Sequence, residues 1–332
     1  MSILKHNTVL LNEVVDSLKL EDTSLFSKDS SNIVVDCTAG YGGHLGLVLE
    51  RLEKLYPDKN YKIIAIDRDE EAISFLNQKF LNQIQEGNLV LVHDRFSNLK
   101  YILQDLGIKE VNGIYADLGV STHQILSSNR GFSFINDGPL DMRMGSNGVS
   151  AYDIVNDWSE ADIIKILKEY GEEPKARFIA HAIVERRKTS PIKTTHELKE
   201  LIEKNVFYKE KSKKNIATKT FMALRIAVNN ELEEVTDLID VGFSFLKKGG
   251  IFSIISFHSL EDRIVKKKFV TLTGKDKYQE LSRDVVLTQK ELDDLVGRKA
   301  SIIKPFPIVP TDKELEENPR SRSAKLRVIM KD

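Results

Sequence analysis

The segment NIVVDCTAGYGGHLG, residues 32–46, sets an apolar run of strand length directly before a glycine-rich turn and the start of an amphipathic helix. Gly40, Gly42 and Gly43 let the backbone turn tightly and approach a ligand at the N-terminus of that helix. A strand, a glycine turn and a helix in this order are typical of the first unit of a nucleotide-binding α/β sheet. The segment therefore predicts an open sheet that binds a nucleotide-like ligand.

Further apolar runs continue this alternation along the chain. They are KIIAID at residues 62–67, NLVLVHD at 88–94, VNGIYAD at 111–117, IFSIISF at 251–257 and AKLRVIM at 324–330. Helical patterns begin near Gly43 and Asp69, one long helix is predicted over residues 219–246, and a turn is predicted at residues 247–250. Strands that alternate with helices indicate a mostly parallel sheet with helices on both faces.

The composition excludes several classes of protein. With 332 residues, 41% hydrophobic and 30% charged, the chain is long enough for one large domain or two ordinary ones, and its net charge of −1 gives no overall attraction to nucleic acid. The single cysteine, Cys37, excludes an internal disulfide framework and a thiolate metal cage. Without a signal-peptide pattern or an apolar run of membrane-spanning length, we expect a cytoplasmic protein.

A helical insertion interrupts the sheet pattern. Residues 127–148 are rich in Gly, Asn and Asp, and helix-start signals follow at Ser159, Pro174 and Thr194. This stretch is too long for an ordinary strand-to-helix connection. We therefore predict a core formed by residues 1–126 and 216–332, and a helical insertion over residues 127–215.

Four consecutive predicted strands end in an acid: Asp36, Asp67, Asp94 and Asp117. Ligands of open α/β sheets bind outside the carboxyl ends of the strands, so these acids are expected on one rim. An acid at the end of the second strand is placed to accept hydrogen bonds from ribose hydroxyls, which suits both NAD and S-adenosylmethionine.

Two features favour S-adenosylmethionine. The dinucleotide fingerprint requires a third glycine where this chain has Leu45. A rim of carboxylates stabilises the positive sulfonium of S-adenosylmethionine, whereas it offers no cradle for a pyrophosphate. Asp94 and Phe96 are then candidates for the adenine amine and ring face.

Seven motifs together carry a resemblance to a known family. They are DCTAGYGGH, DLGVST, RGFSF..DGPLDMRM, YGEE, TFMALRIAVNNELEE, SFHSLEDRIVK and NPRSRSAKLRV, in this order over nearly the whole chain. The chain resembles the RsmH (MraW) family of bacterial 16S ribosomal RNA cytosine N(4)-methyltransferases. The resemblance implies a class I S-adenosylmethionine-dependent methyltransferase fold, Rossmann-like with a seven-stranded, mostly parallel sheet, and methylation of a cytidine in the decoding region, at the P site, of 16S rRNA in the small ribosomal subunit.

The resemblance also implies the contacts of the cofactor, S-adenosylmethionine. The implied residues are Gly42, Gly43 and His44 in the first loop, Asp67 at the ribose, Phe96 at the adenine, and Asp117 and Gln124 at the methionine end. The chain departs from the family pattern at residues 121–124, which read Ser-Thr-His-Gln where the family usually has Ser-Ser-Pro-Gln.

The loop after the fourth strand is the predicted catalytic segment. An exocyclic amine needs hydrogen-bond acceptors that free its delocalised lone pair, and Asp117 is the first candidate. Ser121 either caps the loop or contacts the substrate. The loop lacks an aromatic to stack on a base, so Phe132, Phe134 or Trp158 is expected to hold it, with Asp141 and Arg143 as further substrate contacts.

Local basic clusters are candidates for RNA backbone contacts. They lie at residues 185–193, 209–214, 262–268 and 318–327, although such runs are more often solvated faces. His258 near the same rim is expected to be structural, and the histidines lack the paired spacing of a metal site, so no metal is predicted. The sequence leaves open whether the chain forms a homodimer.

Three other functions remain open at this point. An NAD-dependent oxidoreductase uses a similar sheet, but it needs the glycine that Leu45 replaces. A non-catalytic RNA-binding factor for ribosome assembly predicts eroded cofactor glycines and acids, which are intact here. A small-molecule methyltransferase leaves the insertion without a purpose.

Overall fold

The computed structural model describes residues 8–28, 31–206, 215–277 and 288–332. The chain divides into two compact units, the first formed by Met1–Gly119 and Leu232–Asp332 and the second by Val120–Glu231. The second unit is longer at both ends than the insertion predicted over residues 127–215.

The first unit contains a seven-stranded sheet. Its strands are β1 (Asn32–Asp36), β2 (Tyr61–Asp67), β3 (Leu89–His93), β4 (Val111–Asp117), β5 (Leu246–Ser256), β6 (Ala300–Ile308) and β7 (Lys325–Lys331). Their spatial order is β3-β2-β1-β4-β5-β7-β6. The five strands β1 to β5 pair in parallel, and β7 runs antiparallel to both β5 and β6. This arrangement confirms the predicted α/β fold with a mostly parallel seven-stranded sheet.

Helices of the first unit surround the sheet. They are α1 (Leu11–Ser17), α2 (Gly43–Leu55), α3 (Glu70–Lys79), α4 (Leu81–Gln85) and α5 (Leu99–Asp105). In the second unit lie α6 (Thr122–Leu126), α7 (Ala151–Asp157), α8 (Glu160–Glu169), α9 (Ala176–Thr189), α10 (Thr195–Asn205) and α11 (Thr218–Asn229). The chain continues with α12 (Glu231–Phe245), α13 (Ser259–Leu272), α14 (Gln289–Val296) and α15 (Asp312–Glu317).

Two apolar layers bury the two faces of the sheet. Val34 and Ile63 belong to one cluster, whereas their chain neighbours Val35 and Ile64 belong to the other. Successive side chains of a strand point to opposite faces, so a strand buried on both faces must be apolar at nearly every position. This is why the central strands are continuous apolar runs.

The second unit has its own apolar core, which includes Leu140, Ile154, Ile179 and Leu224. Two of its helices begin at predicted caps, whereas α9 begins at Ala176, two residues after the predicted start at Pro174. The Ser159 side chain accepts a hydrogen bond from the Asp162 N–H, and Thr194 forms a reciprocal capping box with Glu197. Side-chain caps of this kind satisfy N–H groups that a helix leaves unpaired at its start.

Two local predictions were wrong. The helix predicted over residues 219–246 is two helices, α11 and α12, because Asn230 adopts a left-handed conformation with φ 55°. The turn predicted at residues 247–250 is instead part of β5, where the register shifts between the pairs Val111–Leu246 and Gly113–Ile251. The extra residues form an irregularity inside the strand, and Gly249 tolerates its φ of 80° there.

Candidate active site

The strand order reverses between β1 and β4, which lie side by side in the sheet. In open α/β sheets the crevice at the carboxyl ends of such strands binds the ligand. β1 ends at Asp36 and β4 ends at Asp117, and both strands run in parallel. Two of the four predicted acids therefore flank the topological switch point.

Asp36 is a buried acid with two hydrogen bonds. Its Oδ2 accepts from the Tyr115 hydroxyl at 2.8 Å, and its Oδ1 accepts from the Thr38 N–H at 3.0 Å. Burial raises the pKa of the Asp36 carboxyl to about 7, and the charge of Asp67 adds to the rise. Since Asp36 is 1% exposed and both of its oxygens already have partners inside the fold, it supports the ends of β1 and β4.

Asp117 differs from Asp36 because one of its oxygens has no partner. Oδ1 is buried without a hydrogen bond to any of the described residues, and Oδ2 lies 3.9 Å from His44 Nδ1. The Asp117 N–H donates to Thr38 Oγ1 at 2.7 Å, which fixes the end of β4 against the loop after β1. A buried acceptor left without a donor costs free energy, so this oxygen is suited to receive one from a ligand.

The environment of Asp117 also favours a positive ligand. Burial raises the pKa of its carboxyl well above the usual value, and the charges of Asp36 and Glu261 raise it further. Acids whose charges repel one another in a buried place are relieved by a nearby cation. The switch point thus combines the acceptor Asp117 Oδ1 with a group of acids that a bound cation would stabilise.

The glycine turn packs against neighbouring elements with no room for side chains. Gly42 has φ 72°, and a Cβ atom there would lie 2.7 Å from both Leu76 and Phe80 side-chain atoms. A Cβ atom on Gly43 would overlap the Thr8 hydroxyl. Glycine is therefore required at Gly42 for both backbone conformation and close packing, and at Gly43 for close packing.

His44 is held within the first unit rather than exposed on its surface. The side chain is buried, and its Nε2 lies 3.0 Å from the Val9 carbonyl oxygen. The ring also makes an edge contact with Tyr115. These contacts give His44 a packing role, and its predicted contact with a cofactor stays a prediction.

Asp67 ties the end of β2 to the glycine turn. Its Oδ2 accepts a hydrogen bond from the Gly40 N–H at 2.7 Å, and its Oδ1 accepts from the Asp69 N–H at 2.8 Å. Burial raises the pKa of the Asp67 carboxyl. Each oxygen retains a second lone pair, so these bonds leave acceptor capacity for the ribose hydroxyls that were predicted.

The predicted adenine residues lie in the loop after β3. Asp94 Oδ1 accepts from the Arg95 N–H at 2.7 Å and from Asn98 Nδ2 at 2.8 Å. Phe96 is half-buried and packs against the cluster that contains Leu99. Hydrogen bonds within the loop therefore hold its conformation, and the roles of Asp94 and Phe96 toward adenine stay predictions.

Ser121 and Gln124 belong to the second unit, where they cap α6. The Gln124 N–H donates to Ser121 Oγ at 3.2 Å, and the Ser121 N–H donates to Gln124 Oε1 at 2.9 Å. Gln124 is buried. Of the two readings of Ser121, loop capping is thus observed, whereas its substrate contact and the cofactor contact of Gln124 stay predictions.

Asp141 and Arg143 form a bidentate ion pair in the second unit. Arg143 Nη2 and Nε donate to the two Asp141 oxygens at 2.7 and 3.0 Å. Partial burial opposes the charged form, but the hydrogen bonds from Arg143 hold the pKa of Asp141 below its usual value. Asp141 therefore orients the guanidinium of Arg143, and their predicted substrate contacts stay predictions.

The candidate aromatic residues all contact the core of the second unit. Phe132, Phe134 and Trp158 are half-buried against it. Phe134 packs edge-on against Phe221 with ring centroids 4.8 Å apart, and Arg130 lies over the Phe132 ring at 5.9 Å. Packing explains each of these aromatics, and none of their contacts distinguishes a base-binding residue.

Two of the predicted basic clusters contain cations with structural partners. Arg187 donates to the carbonyl oxygens of Val155 and Trp158 at 2.8 and 2.6 Å. Arg327 and Lys325 donate to Asp262 at 2.7 and 3.1 Å. The cluster at residues 209–214 lies outside the described residues. Lys266 and Arg322, from two of these clusters, are exposed, and the predicted RNA contacts of all four clusters stay predictions.

Two polar side chains of the site were missed by the sequence reasoning. Thr38 bonds both strand ends, through its N–H to Asp36 and its hydroxyl to Asp117. Tyr115 reaches back to Asp36 from the neighbouring strand. The only sequence signal was the alternation of β4, which places Tyr115 and Asp117 on the same face of the strand.

The family model described as the MraW methylase family matches residues 3–332. The chain belongs to this family. A relative from Clostridium botulinum strain Kyoto, named ribosomal RNA small subunit methyltransferase H, is 42% identical over 98% of this chain and 99% of its own length. One of the same name from Caldicellulosiruptor saccharolyticus is 43% identical over 96% of this chain and 99% of its own length.

Membership of the MraW methylase family makes S-adenosylmethionine the cofactor of this protein. The residues of the site fit that cofactor, because buried acids that repel one another, and an Asp117 oxygen that accepts no hydrogen bond from the described residues, suit a cationic ligand. The methylase family also decides against the NAD-dependent alternative. Among the described residues, no helix is long and apolar enough to cross a membrane.

Proposed function

We propose that this member of the MraW methylase family methylates the N(4) amine of a cytidine in the decoding region of 16S rRNA, within the small ribosomal subunit. The relatives named ribosomal RNA small subunit methyltransferase H support rRNA as the substrate. The observation that carries the proposed amine specificity is that Asp117 Oδ1, at the switch point, accepts no hydrogen bond from the part of the chain that the structure describes. A ribosomal substrate also fits the cytoplasmic location expected from the sequence.

Amine methylation is the reaction that these residues suit best. The lone pair of an exocyclic amine is delocalised into the base, so acceptors that bind the amine hydrogens increase its reactivity. Methylation of a ring carbon usually requires a thiolate nucleophile. The single cysteine, Cys37, is buried, and burial raises the pKa of its thiol well above the usual value, which disfavours the thiolate.

S-adenosylmethionine, when bound, supplies an electrophilic methyl group carried by a positive sulfonium. In the proposed mechanism Asp117 accepts a hydrogen bond from the substrate amine through Oδ1. Its raised pKa makes the ionised carboxylate a stronger base than an ordinary aspartate, which suits proton removal from the methylated amine. Asp36 and Thr38 hold the strand ends that position Asp117.

Cofactor and substrate roles of the remaining residues form part of the proposal. Gly42 and Gly43 bring the backbone close to the cofactor, and Asp67 binds its ribose. The proposed domain arrangement assigns residues 127–215 to RNA, with Arg143 held by Asp141 for a phosphate or a base edge.

The test is label transfer. The protein is incubated with methyl-labelled S-adenosylmethionine and small ribosomal subunits that lack base methylation, and the labelled nucleotide is mapped. We expect label in the 16S rRNA at one decoding-region cytidine, in the form of N(4)-methylcytidine. Label on a ring carbon, on another nucleotide, or in protein alone would contradict the proposal.

A further inference from the structure

A buried acid bridges two loops at the edge of the candidate cofactor site. Glu234 lies on α12 within the first unit and is 4% exposed. Its Oε1 accepts a hydrogen bond from Arg95 Nη1 at 3.3 Å and lies 3.6 Å from Arg68 Nη1. One carboxylate oxygen therefore contacts cations from two different loops.

The two arginines are neighbours of the predicted adenosine contacts. Arg68 directly follows Asp67 at the end of β2, and Arg95 lies between Asp94 and Phe96 after β3. β2 and β3 pair in parallel up to the partners Asp67 and His93, so both loops begin at the carboxyl ends of the strands. Glu234 contacts these loops from a helix outside the sheet.

The two loops are also hydrogen-bonded to each other, so a displacement of one loop displaces the other. The Asp94 N–H donates to the Asp67 carbonyl oxygen at 3.0 Å, and His93 Nε2 lies 3.2 Å from the Arg68 carbonyl oxygen. A shift of either arginine therefore moves a backbone segment that carries a predicted cofactor contact.

Glu234 itself is firmly placed. Its helix neighbours Val235, Leu238 and Ile239 belong to the apolar core on one face of the sheet. The Glu234 carboxylate offsets the repulsion between the guanidinium groups of Arg68 and Arg95, and its removal would leave that repulsion stronger. The Arg68 side chain is only 13% exposed, so solvent replaces the lost partner poorly.

We infer that Glu234 is a positioning residue that sets the affinity for the adenosine half of the cofactor by holding the β2 and β3 loops through Arg68 and Arg95. The inference deepens the proposed function and rests on the ribose contact proposed there for Asp67 and on the adenine contact predicted for Phe96. Asp117, which is proposed to contact the substrate, lies at the end of β4 and therefore in neither of these two loops. Glu234 therefore affects cofactor affinity more than the rate of methyl transfer.

The test compares Glu234→Gln with Asp237→Asn, which removes the same charge from an exposed residue on the same helix. Binding of S-adenosylhomocysteine and of adenosine is measured by calorimetry, and kcat and cofactor KM are measured on small ribosomal subunits. We expect Glu234→Gln to raise both dissociation constants and the cofactor KM about tenfold, with kcat within twofold of wild type, and Asp237→Asn to stay within twofold throughout.

A second variant keeps the inference testable if Glu234→Gln folds poorly. Arg95→Met alters a side chain that is 47% exposed, and it should raise the dissociation constant for adenosine severalfold. In the double variant, Glu234→Gln should add less than it does alone, because the shared contact is already lost.

Unchanged adenosine affinity in both variants would overturn the inference, as would a loss of kcat at unchanged cofactor KM. These binding measurements are independent of the RNA product. A wild-type protein that binds S-adenosylhomocysteine but transfers no methyl group to rRNA would refute the proposed function while the calorimetry still decides the role of Glu234.

Discussion

Replacement of Gly42 by alanine tests the glycine turn that follows β1. The residue has φ 72°, a conformation that costs a residue with a Cβ atom about 1–2 kcal/mol. The added methyl group would lie 2.7 Å from Leu76 Cδ2 and Phe80 Cε2, and overpacking of this kind typically costs about 1–3 kcal/mol. We therefore expect Gly42→Ala to lower the free energy of unfolding by about 2–5 kcal/mol.

Gly46→Ala is the matched control, one turn further along α2. A Cβ atom at Gly46 meets its nearest neighbour, Phe80, at 3.6 Å, an ordinary contact. Alanine in the interior of a helix is favoured over glycine by roughly 0.5–1 kcal/mol, so this variant should be slightly more stable than wild type.

The assay is urea unfolding of the cofactor-free protein followed by far-ultraviolet circular dichroism. Fluorescence does not suffice, because the single tryptophan, Trp158, lies in the second unit. If Gly42→Ala unfolded at the wild-type urea concentration, the claim that the turn requires glycine for conformation and close packing would be refuted.

Three further outcomes follow from the structure. Burial raises the pKa of Asp36 in the folded protein to about 7, so the folded protein retains a proton that the unfolded chain releases near pH 4. This proton stabilises the fold fully below pH 4, and the stabilisation is lost as the pH rises to 7. Asp36→Asn should remove about 2 kcal/mol of the stability that the wild type loses between pH 5 and pH 7, measured by urea unfolding at both pH values; an equal loss in the two proteins would contradict this. Asp262→Ala removes the acid that pairs with the buried Arg327 and should lower the free energy of unfolding by about 3 kcal/mol. Lys266→Ala, at an exposed position, should change it by less than about 0.5 kcal/mol, and denaturant midpoints measure both. Ser121→Ala should cost about 1 kcal/mol through loss of the cap, and Ser121→Gly only a few tenths, a difference to be followed by Trp158 fluorescence in the same unit; equal losses would argue against the capping role.

The central sheet was predictable from the sequence because its signals are local. β1 and β4 have the predicted bounds, residues 32–36 and 111–117, since each is an apolar run that ends in an acid. The break at Asn230 was not predictable in the same way. The apolar pattern continues across it, and only the left-handed backbone of that residue separates α11 from α12.

The candidate site was predictable in position but not in its internal contacts. Four acids at strand ends indicated the rim, yet no sequence pattern distinguishes Asp36, with both oxygens bonded, from Asp117, with one oxygen that accepts no hydrogen bond from the described residues. That distinction depends on the Tyr115 hydroxyl and the Thr38 N–H, which meet Asp36 only once β1 and β4 are paired. Contacts between neighbouring strands leave no local pattern in the chain.

The rate of N(4)-methylcytidine formation decides whether Asp117 is a catalytic residue. The nucleosides of small ribosomal subunits treated with wild-type protein or with Asp117→Ala are quantified by mass spectrometry over time, at saturating S-adenosylmethionine. Loss of a positioned acceptor and base should slow the reaction by at least about a hundredfold, while far-ultraviolet circular dichroism remains that of the wild type. A correctly folded Asp117→Ala protein that forms N(4)-methylcytidine at a near-normal rate would contradict the account.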